Sequence, residues 1–146
     1  MHIAAMKAVR IGMKEYEIAG VISDVALSSG GSLAFPTIAT VNGQILHNHF
    51  HGNTIKEGDM FLIDAGAETA MGYAGDMSST IPAGKKFSSR QKEIYDIQVA
   101  SHQAAVEALR PGTYFKDVYN LSAKVICEGL KSLGLMKGDS EEAVQQ

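Results

Sequence analysis

The sequence predicts an α+β fold in which an antiparallel sheet packs against helices on one face. Apolar residues recur with helical spacing near both ends of the chain. The central third is instead rich in β-branched residues and is divided by glycine-containing turns. The length of 146 residues, with 45% hydrophobic and 20% charged residues, fits a soluble globular domain with its own core.

Two helices are predicted before the sheet. The first covers residues 2–10 and carries Ile3, Met6 and Val9, and Gly12 separates it from the second. The apolar stripe of the second helix has the spacing i, i+3, i+4, i+7 and i+8 and comprises Ile18, Val21, Ile22, Val25 and Ala26. The run Ser28–Gly31 is expected to end it.

The predicted strands fill the middle of the chain. Residues 37–41 read as a strand that ends at the turn Asn42-Gly43, and residues 44–47 as the strand that returns from it. Residues 60–67 and 73–81 follow as two strands joined by a short glycine-containing loop.

The last third returns to helical patterns. Ser88 and Gln91 have the spacing of a capping box, and Thr113 is expected to cap a second helix that ends at Gly134. A further helix is expected to begin at residues 139–142. Arg10-Ile11-Gly12 and Arg110-Pro111-Gly112 each precede an amphipathic helix, which suggests a repeated helix-loop-helix unit; chance alignment is the alternative.

The sharpest chemical feature is a pair of aspartates. Asp64 ends the apolar run Met60–Ile63, and a buried carboxylate is costly unless it is paired or bound to a cation. A hairpin that closes near Ala70 would set Asp64 roughly opposite Asp76, with Cβ atoms about 4.5–5.5 Å apart. A divalent cation such as Mg, Mn or Zn would remove the repulsion between two such anions.

A solvated structural role is the alternative for both aspartates. The spacing alone favours that alternative, because aspartate is common in turns. The small neighbours favour the cation, since they leave space beside both carboxylates; they are Ala65, Gly66, Ala74 and Gly75.

Three alternating histidines, His47, His49 and His51, would share one face if they lay on a strand. Metal binding by that face is one interpretation, and a polar, partly solvated strand or loop is the preferred one. Cys127 is the only cysteine, which excludes an internal disulfide, and a packing role on its helix is expected.

Taken together, several segments resemble the aminopeptidase P and prolidase family, in register over nearly the whole chain. They are Ile45-Leu46-His47-Asn48, the run from Glu57 to Glu68, Gly72-Tyr73-Ala74-Gly75-Asp76, the run from Phe87 to Tyr95, and Arg110-Pro111-Gly112-Thr113. The resemblance implies half of a pita-bread fold, in which two αβ halves enclose a two-metal site. Residues 1–146 would then be the N-terminal part of the catalytic domain, and residues 111–146 the start of its second repeat.

The resemblance also implies roles for three residues. Asp64 would bind one of two divalent metal ions, Asp76 would bridge both, and His47 would be the catalytic histidine on the substrate side. The metals would be manganese, with zinc or cobalt as alternatives. The substrate would be a peptide with proline at its second position.

The sequence departs from the family pattern in three respects. The family's remaining ligands, one His and two Glu, would lie beyond Gln146, so weak or absent metal binding and no activity are expected of this chain alone. The family's N-terminal domain is not in the chain. The interval from Asp64 to Asp76 is one residue longer than expected, and the turn around residues 68–72 is the predicted place for the extra residue.

Two other functions compete with an Xaa-Pro peptidase: a methionine aminopeptidase-like enzyme, and a non-catalytic binding protein of the same fold. The net charge of −3 gives no indication of a nucleic-acid or membrane partner. We expect a cytoplasmic protein, since a signal peptide pattern is not seen. We also expect a homo-oligomer, because half of a symmetric domain exposes the face meant for the other half.

Overall fold

The computed structural model describes residues 1–145, which form two compact units, one of residues 1–87 and one that starts at Ser88. The first unit contains α1 (His2–Ala8), α2 (Glu15–Ser28), β1 (Ser32–Leu33), β2 (Ile38–Thr40), β3 (Met60–Ala65), β4 (Ala67–Glu68) and β5 (Met77–Pro82). β2, β3 and β5 form an antiparallel sheet in that order, and β1 pairs with β4 in a second, two-stranded sheet. Within residues 1–145, no helix combines the length and the apolar character that spanning a bilayer requires.

The side chains of the central strand β3 explain why helices cover only one face of this sheet. Its side chains alternate, so Phe61, Ile63 and Ala65 are buried whereas Leu62 and Asp64 are only half-buried. The buried set packs with residues of α1, α2 and the loop before β3; these are Ala5, Val9, Ile18, Ile22 and Ile55. An antiparallel sheet with helices on one face, as predicted, is therefore confirmed.

The two N-terminal helices match the prediction unequally. In α2 the stripe is correct, with Ile18, Ile22 and Ala26 buried. Of the three apolar residues that the predicted first helix carries, only Val9 is buried, since Ile3 is 69% exposed and Met6 is 38% exposed. The helix itself ends at Ala8, and Ala5 is its buried residue in the core, where Val9 joins it directly after the helix.

The predicted returning strand at residues 44–47 is also wrong. This segment forms turns, and the Ile45 N–H donates to the Asn42 carbonyl at 3.0 Å. The partner of β2 is β3, with Ile38 opposite Asp64. The turn signal at residues 42–43 therefore starts a long loop, because the strand that completes the ladder lies some twenty residues further along the chain.

The second unit consists of α3 (Ser89–Ala108), α4 (Phe115–Ser132) and α5 (Ser140–Gln145). The capping box at Ser88 and Gln91 is confirmed. Thr113 is not the cap of α4, because Tyr114 holds that position without a side-chain cap hydrogen bond. Buried Ser101 on α3 bonds to the Ser122 hydroxyl at 2.7 Å and donates to the Ser122 carbonyl at 3.0 Å, so small polar residues join the two long helices.

The turns after α1 and α3 share a detailed local structure. Gly12 has φ +91° and Gly112 has φ +89°, both in the left-handed region. Each turn is closed by a backbone hydrogen bond to the arginine carbonyl, from Met13 to Arg10 at 3.3 Å and from Thr113 to Arg110 at 3.1 Å. Each arginine also donates to the carbonyl of the preceding residue, at 2.7 Å and 2.8 Å respectively.

Candidate metal-binding hairpin

The β3–β5 hairpin has one continuous register. Asp64 lies opposite Ser78, and Ala65 lies opposite Met77. The same register continues past the named strands, because Ala74 bridges Glu68 and the Gly75 N–H donates to the Ala67 carbonyl at 2.8 Å. An additional residue between the two strands can therefore be accommodated at the tip, residues 69–73, without a change of register.

This register relates the two aspartates. Asp76 falls two positions before Ser78, and alternation along the strand direction puts it on the same face as Ser78 and Asp64. The two residues are diagonal neighbours, typically about 7–8 Å apart with a somewhat shorter Cβ separation, and not directly opposed as expected. Ser78, which the sequence interpretation overlooked, occupies the directly opposed position.

Asp64 carries an unsatisfied oxygen. Its Oδ1 atom is shielded from solvent and has no hydrogen-bond partner among the described residues. A buried charged oxygen without a partner is costly, and a divalent cation is one group that would satisfy it. The described residues hold no group of three or more His, Cys, Asp or Glu placed to bind a metal. The two aspartates therefore fit part of a ligand set and do not complete one.

A histidine that the sequence interpretation did not single out supports the end of β3. His2 Nε2 lies 3.0 Å from the Ala65 carbonyl oxygen, to which it can only donate. The other ring nitrogen, Nδ1, lies 3.1 Å from the Ser79 hydroxyl on β5. His2 thus links the two strands of the hairpin directly beside Asp64.

The three predicted histidines do not share a strand face. His47 is exposed and has φ +51°, a left-handed conformation that is uncommon for a residue other than glycine. His49 is also exposed, whereas half-buried His51 bonds through Nε2 to the Thr37 carbonyl at 3.1 Å. The preferred interpretation, a polar and partly solvated loop, is confirmed, because residues 47–51 contain no strand and so present no shared histidine face.

Large apolar side chains lie exposed on the first unit around the tip of the hairpin and in the His47 loop. Met71 is 82% exposed, Tyr73 is 73% exposed and Leu46 is 86% exposed. Tyr73 is thus neither packed nor inside a closed pocket. In the second unit, Cys127 is half-buried on α4.

Glu15 is a polar residue at the centre of this unit that the sequence interpretation missed. It is 0% exposed, and both carboxylate oxygens accept hydrogen bonds from the segments that flank the His47 loop. The sequence contained one signal for it. Glu15 lies one helical turn before Ile18 and Ile22 and on the same face of α2, so an acid occupies a position on the apolar stripe.

Comparison with known proteins identifies the family to which this sequence and fold belong. The model of metallopeptidase family M24 matches residues 1–141. The Xaa-Pro aminopeptidase of Escherichia coli is 37% identical over 150 residues, and the human Xaa-Pro dipeptidase is 33% identical over 152 residues. The solved structure of Pseudomonas aeruginosa aminopeptidase PepP superposes with a TM-score of 0.94 at 35% identity.

These similarities cover 99% of this chain, which spans about a third of the length of each of these relatives. The fold and the matched sequence thus place the chain in a class of metal-dependent hydrolases. The chain belongs to metallopeptidase family M24. Membership of this family implies divalent metal ions.

Proposed function

We propose that this chain is the N-terminal part of the catalytic domain of a dinuclear-metal peptidase that removes the residue before proline at a peptide's N-terminus. The observation that supports the proposal is the register of the hairpin, which sets Asp76 diagonally across from Asp64 on one face. The names of the relatives, Xaa-Pro aminopeptidase and Xaa-Pro dipeptidase, support this specificity over the methionine aminopeptidase alternative.

In this proposal Asp64 and Asp76 hold the metal ions. Asp64 would hold one ion through its shielded, unsatisfied Oδ1, and Asp76, exposed directly before β5, would be shared by both ions. Bound there, the ions would supply Lewis-acid chemistry, which activates a water molecule and stabilises negative charge on the peptide carbonyl. Manganese is the proposed metal, with zinc or cobalt as alternatives.

His47 is the proposed catalytic histidine. Its exposed ring stands on a loop and is available to a substrate, where an imidazole can donate a hydrogen bond to the reacting peptide group. The substrate is a peptide with proline at its second position.

We also propose a cytoplasmic, homo-oligomeric protein without a nucleic-acid or membrane partner.

The domain proposal concerns residues 111–146, which we infer to be the start of a second repeat. The matching turns at Gly12 and Gly112 support it, as do helices that begin at Glu15 and Phe115, each three residues after its glycine. The second repeat would supply the remaining His and Glu ligands.

A chimera tests the function. Residues 1–146 would replace the aligned third of the Escherichia coli Xaa-Pro aminopeptidase, and hydrolysis of an Xaa-Pro peptide would be measured with added manganese. We expect turnover in the chimera, a loss of at least about 100-fold in D64N or D76N, and no loss in D24N. Asp24 is a matched control because it is an exposed carboxylate on α2.

Circular dichroism would establish that each chimera folds. A folded chimera that binds manganese and yet does not hydrolyse the peptide would reject the peptidase function and favour the non-catalytic alternative. The 146-residue chain alone is expected to show no Xaa-Pro hydrolysis. Turnover by the chain alone would show that the two aspartates form a sufficient site.

A further inference from the structure

The buried carboxylate of Glu15 joins the two ends of the loop that carries His47. At the start of the loop, Oε1 accepts from the Thr40 hydroxyl at 3.0 Å and from the Val41 N–H at 2.9 Å. At its end, the Asn53 N–H donates to Oε2 at 3.1 Å, and the Asn53 side-chain amide donates to both oxygens. One side chain on α2 therefore holds both ends of a segment that contains no strand or helix.

The same contacts set the direction of a hydrogen-bond chain into the loop. An ionised carboxylate can only accept, so the single proton of the Thr40 hydroxyl points to Glu15. The Thr40 oxygen is then free to accept, from the Asn42 N–H at 2.9 Å and from the Asn48 side-chain amide at 3.3 Å. The chain from Glu15 through Thr40 thus reaches Asn48, the residue next to His47.

His47 is the residue that needs such support. It is the only described residue other than glycine with a positive φ. A left-handed backbone at a residue with a side chain persists only where the surrounding structure fixes it. The imidazole is exposed, so the backbone conformation of His47 sets the direction in which the side chain leaves the loop.

We propose that Glu15 is a positioning residue: through Thr40 and Asn48 it holds the backbone of His47 in its left-handed conformation and so aims the imidazole. The catalytic meaning of this inference rests on the proposed function of His47. The hydrogen-bond chain itself does not, and it can be tested in the 146-residue chain without any measurement of hydrolysis.

The test is hydrogen exchange and NMR of E15Q in the full chain. A glutamine must direct its N–H₂ group toward either the Oε1 or the Oε2 position, and donors already face both positions. We expect the amides of Val41 and Asn53 to exchange at least tenfold faster, and the Cα and Cβ shifts of His47 to move toward averaged values. E17Q is the matched control, because Glu17 lies in the same helical turn and accepts instead from the Lys14 N–H at 2.7 Å.

A second pair of variants keeps the inference testable if E15Q does not fold. T40V removes the hydroxyl and is expected to shift the His47 signals, whereas T40S keeps the hydroxyl and is expected to restore them. A folded T40V chain with unchanged His47 signals would overturn the inference, as would a folded E15Q chain with unchanged exchange at Val41 and Asn53. Either result would leave the chimera experiment unaffected, so the two proposals fail separately.

Discussion

The backbone of Gly66 lies so close to Gly75 that a Cβ atom at position 66 would stand 1.6 Å from the Gly75 carbonyl oxygen. The nitrogen of Asp76 would lie 3.2 Å from the same atom. No side chain fits there, so glycine at position 66 is what lets the segment before β5 approach the end of β3. This approach brings Asp76 alongside the strand that carries Asp64.

Gly66→Ala should therefore destabilise the first unit by about 3 kcal/mol, because a methyl group must displace backbone and not a flexible side chain. Thermal unfolding would measure the loss. Gly20→Ala is the control, since Gly20 lies in α2 with open space around its Cβ position, and it should stabilise the helix by about 1 kcal/mol. Equal stability of G66A and the parent chain would contradict the close approach.

The unsatisfied oxygen of Asp64 predicts a gain in stability on substitution, where Gly66→Ala predicts a loss. Without metal, Asp64→Asn should raise stability by about 1 kcal/mol, because a neutral amide costs less to shield from water than an unpaired carboxylate. Urea denaturation in the presence of a chelator would measure it. Asp24→Asn, at an exposed site, should change stability by less than about 0.5 kcal/mol. A clear loss of stability in D64N would indicate that the oxygen has a partner.

Asp139 gives α5 a dependence on pH. Its Oδ1 accepts from the backbone N–H groups of Glu142 and Glu141, at 3.1 Å and 2.8 Å, and these bonds hold the pKa of Asp139 below its ordinary value. A lowered folded-state pKa means that the stabilisation is present above the ordinary aspartate pKa and is lost as pH falls through the lowered value.

We accordingly expect the helical ¹³C shifts of residues 140–145 to decline as the pH falls through the lowered pKa of Asp139. Asp139→Asn keeps a capping oxygen without its titration, so its α5 signals should change much less over the same range. The other acids of α5 are common to both chains and cancel in the comparison. Identical pH profiles would show that Asp139 does not control this helix.

The exposed apolar side chains of the first unit predict self-association. Leu46 and Met71 are each more than four-fifths exposed. Exposed apolar side chains of this size are commonly buried when protein chains associate. Light scattering should show association of the parent chain, weakened at least tenfold in the double variant L46E/M71E. Leu27→Glu is the control, because Leu27 is an exposed leucine on α2. A monomeric parent chain at high concentration would be evidence against this surface.

Local sequence signals predicted the elements whose structure is decided locally. The stripe of α2 follows from helical periodicity alone, and the Ser88 capping box follows from residues three apart. The hairpin was predicted because its two strands are adjacent in the chain. The face shared by Asp64 and Asp76 followed from alternation, although their exact offset needed the register that the ladder provides.

The sequence could not supply contacts between distant segments. Residues 44–47 have strand-like composition, but β2 finds its partner in β3, so they remain in the loop. Glu15 resembles any acid in the first turn of a helix until Thr40 and Asn53 surround it. Ile3 is apolar and yet exposed, because α1 contacts the core through the face that carries Ala5.

The five-residue tip between Glu68 and Ala74 can change in length without moving the two aspartates of the hairpin. The Thr69 N–H bonds to the Tyr73 carbonyl and the Gly72 N–H bonds to the Thr69 carbonyl, both at 2.9 Å, so the tip closes on itself. Additional residues placed between Ala70 and Met71 would lengthen a solvent-exposed loop and leave the hydrogen-bonded residue pairs of the hairpin in place. That position is accordingly a suitable site for grafting an epitope or a fluorescent label into the folded chain.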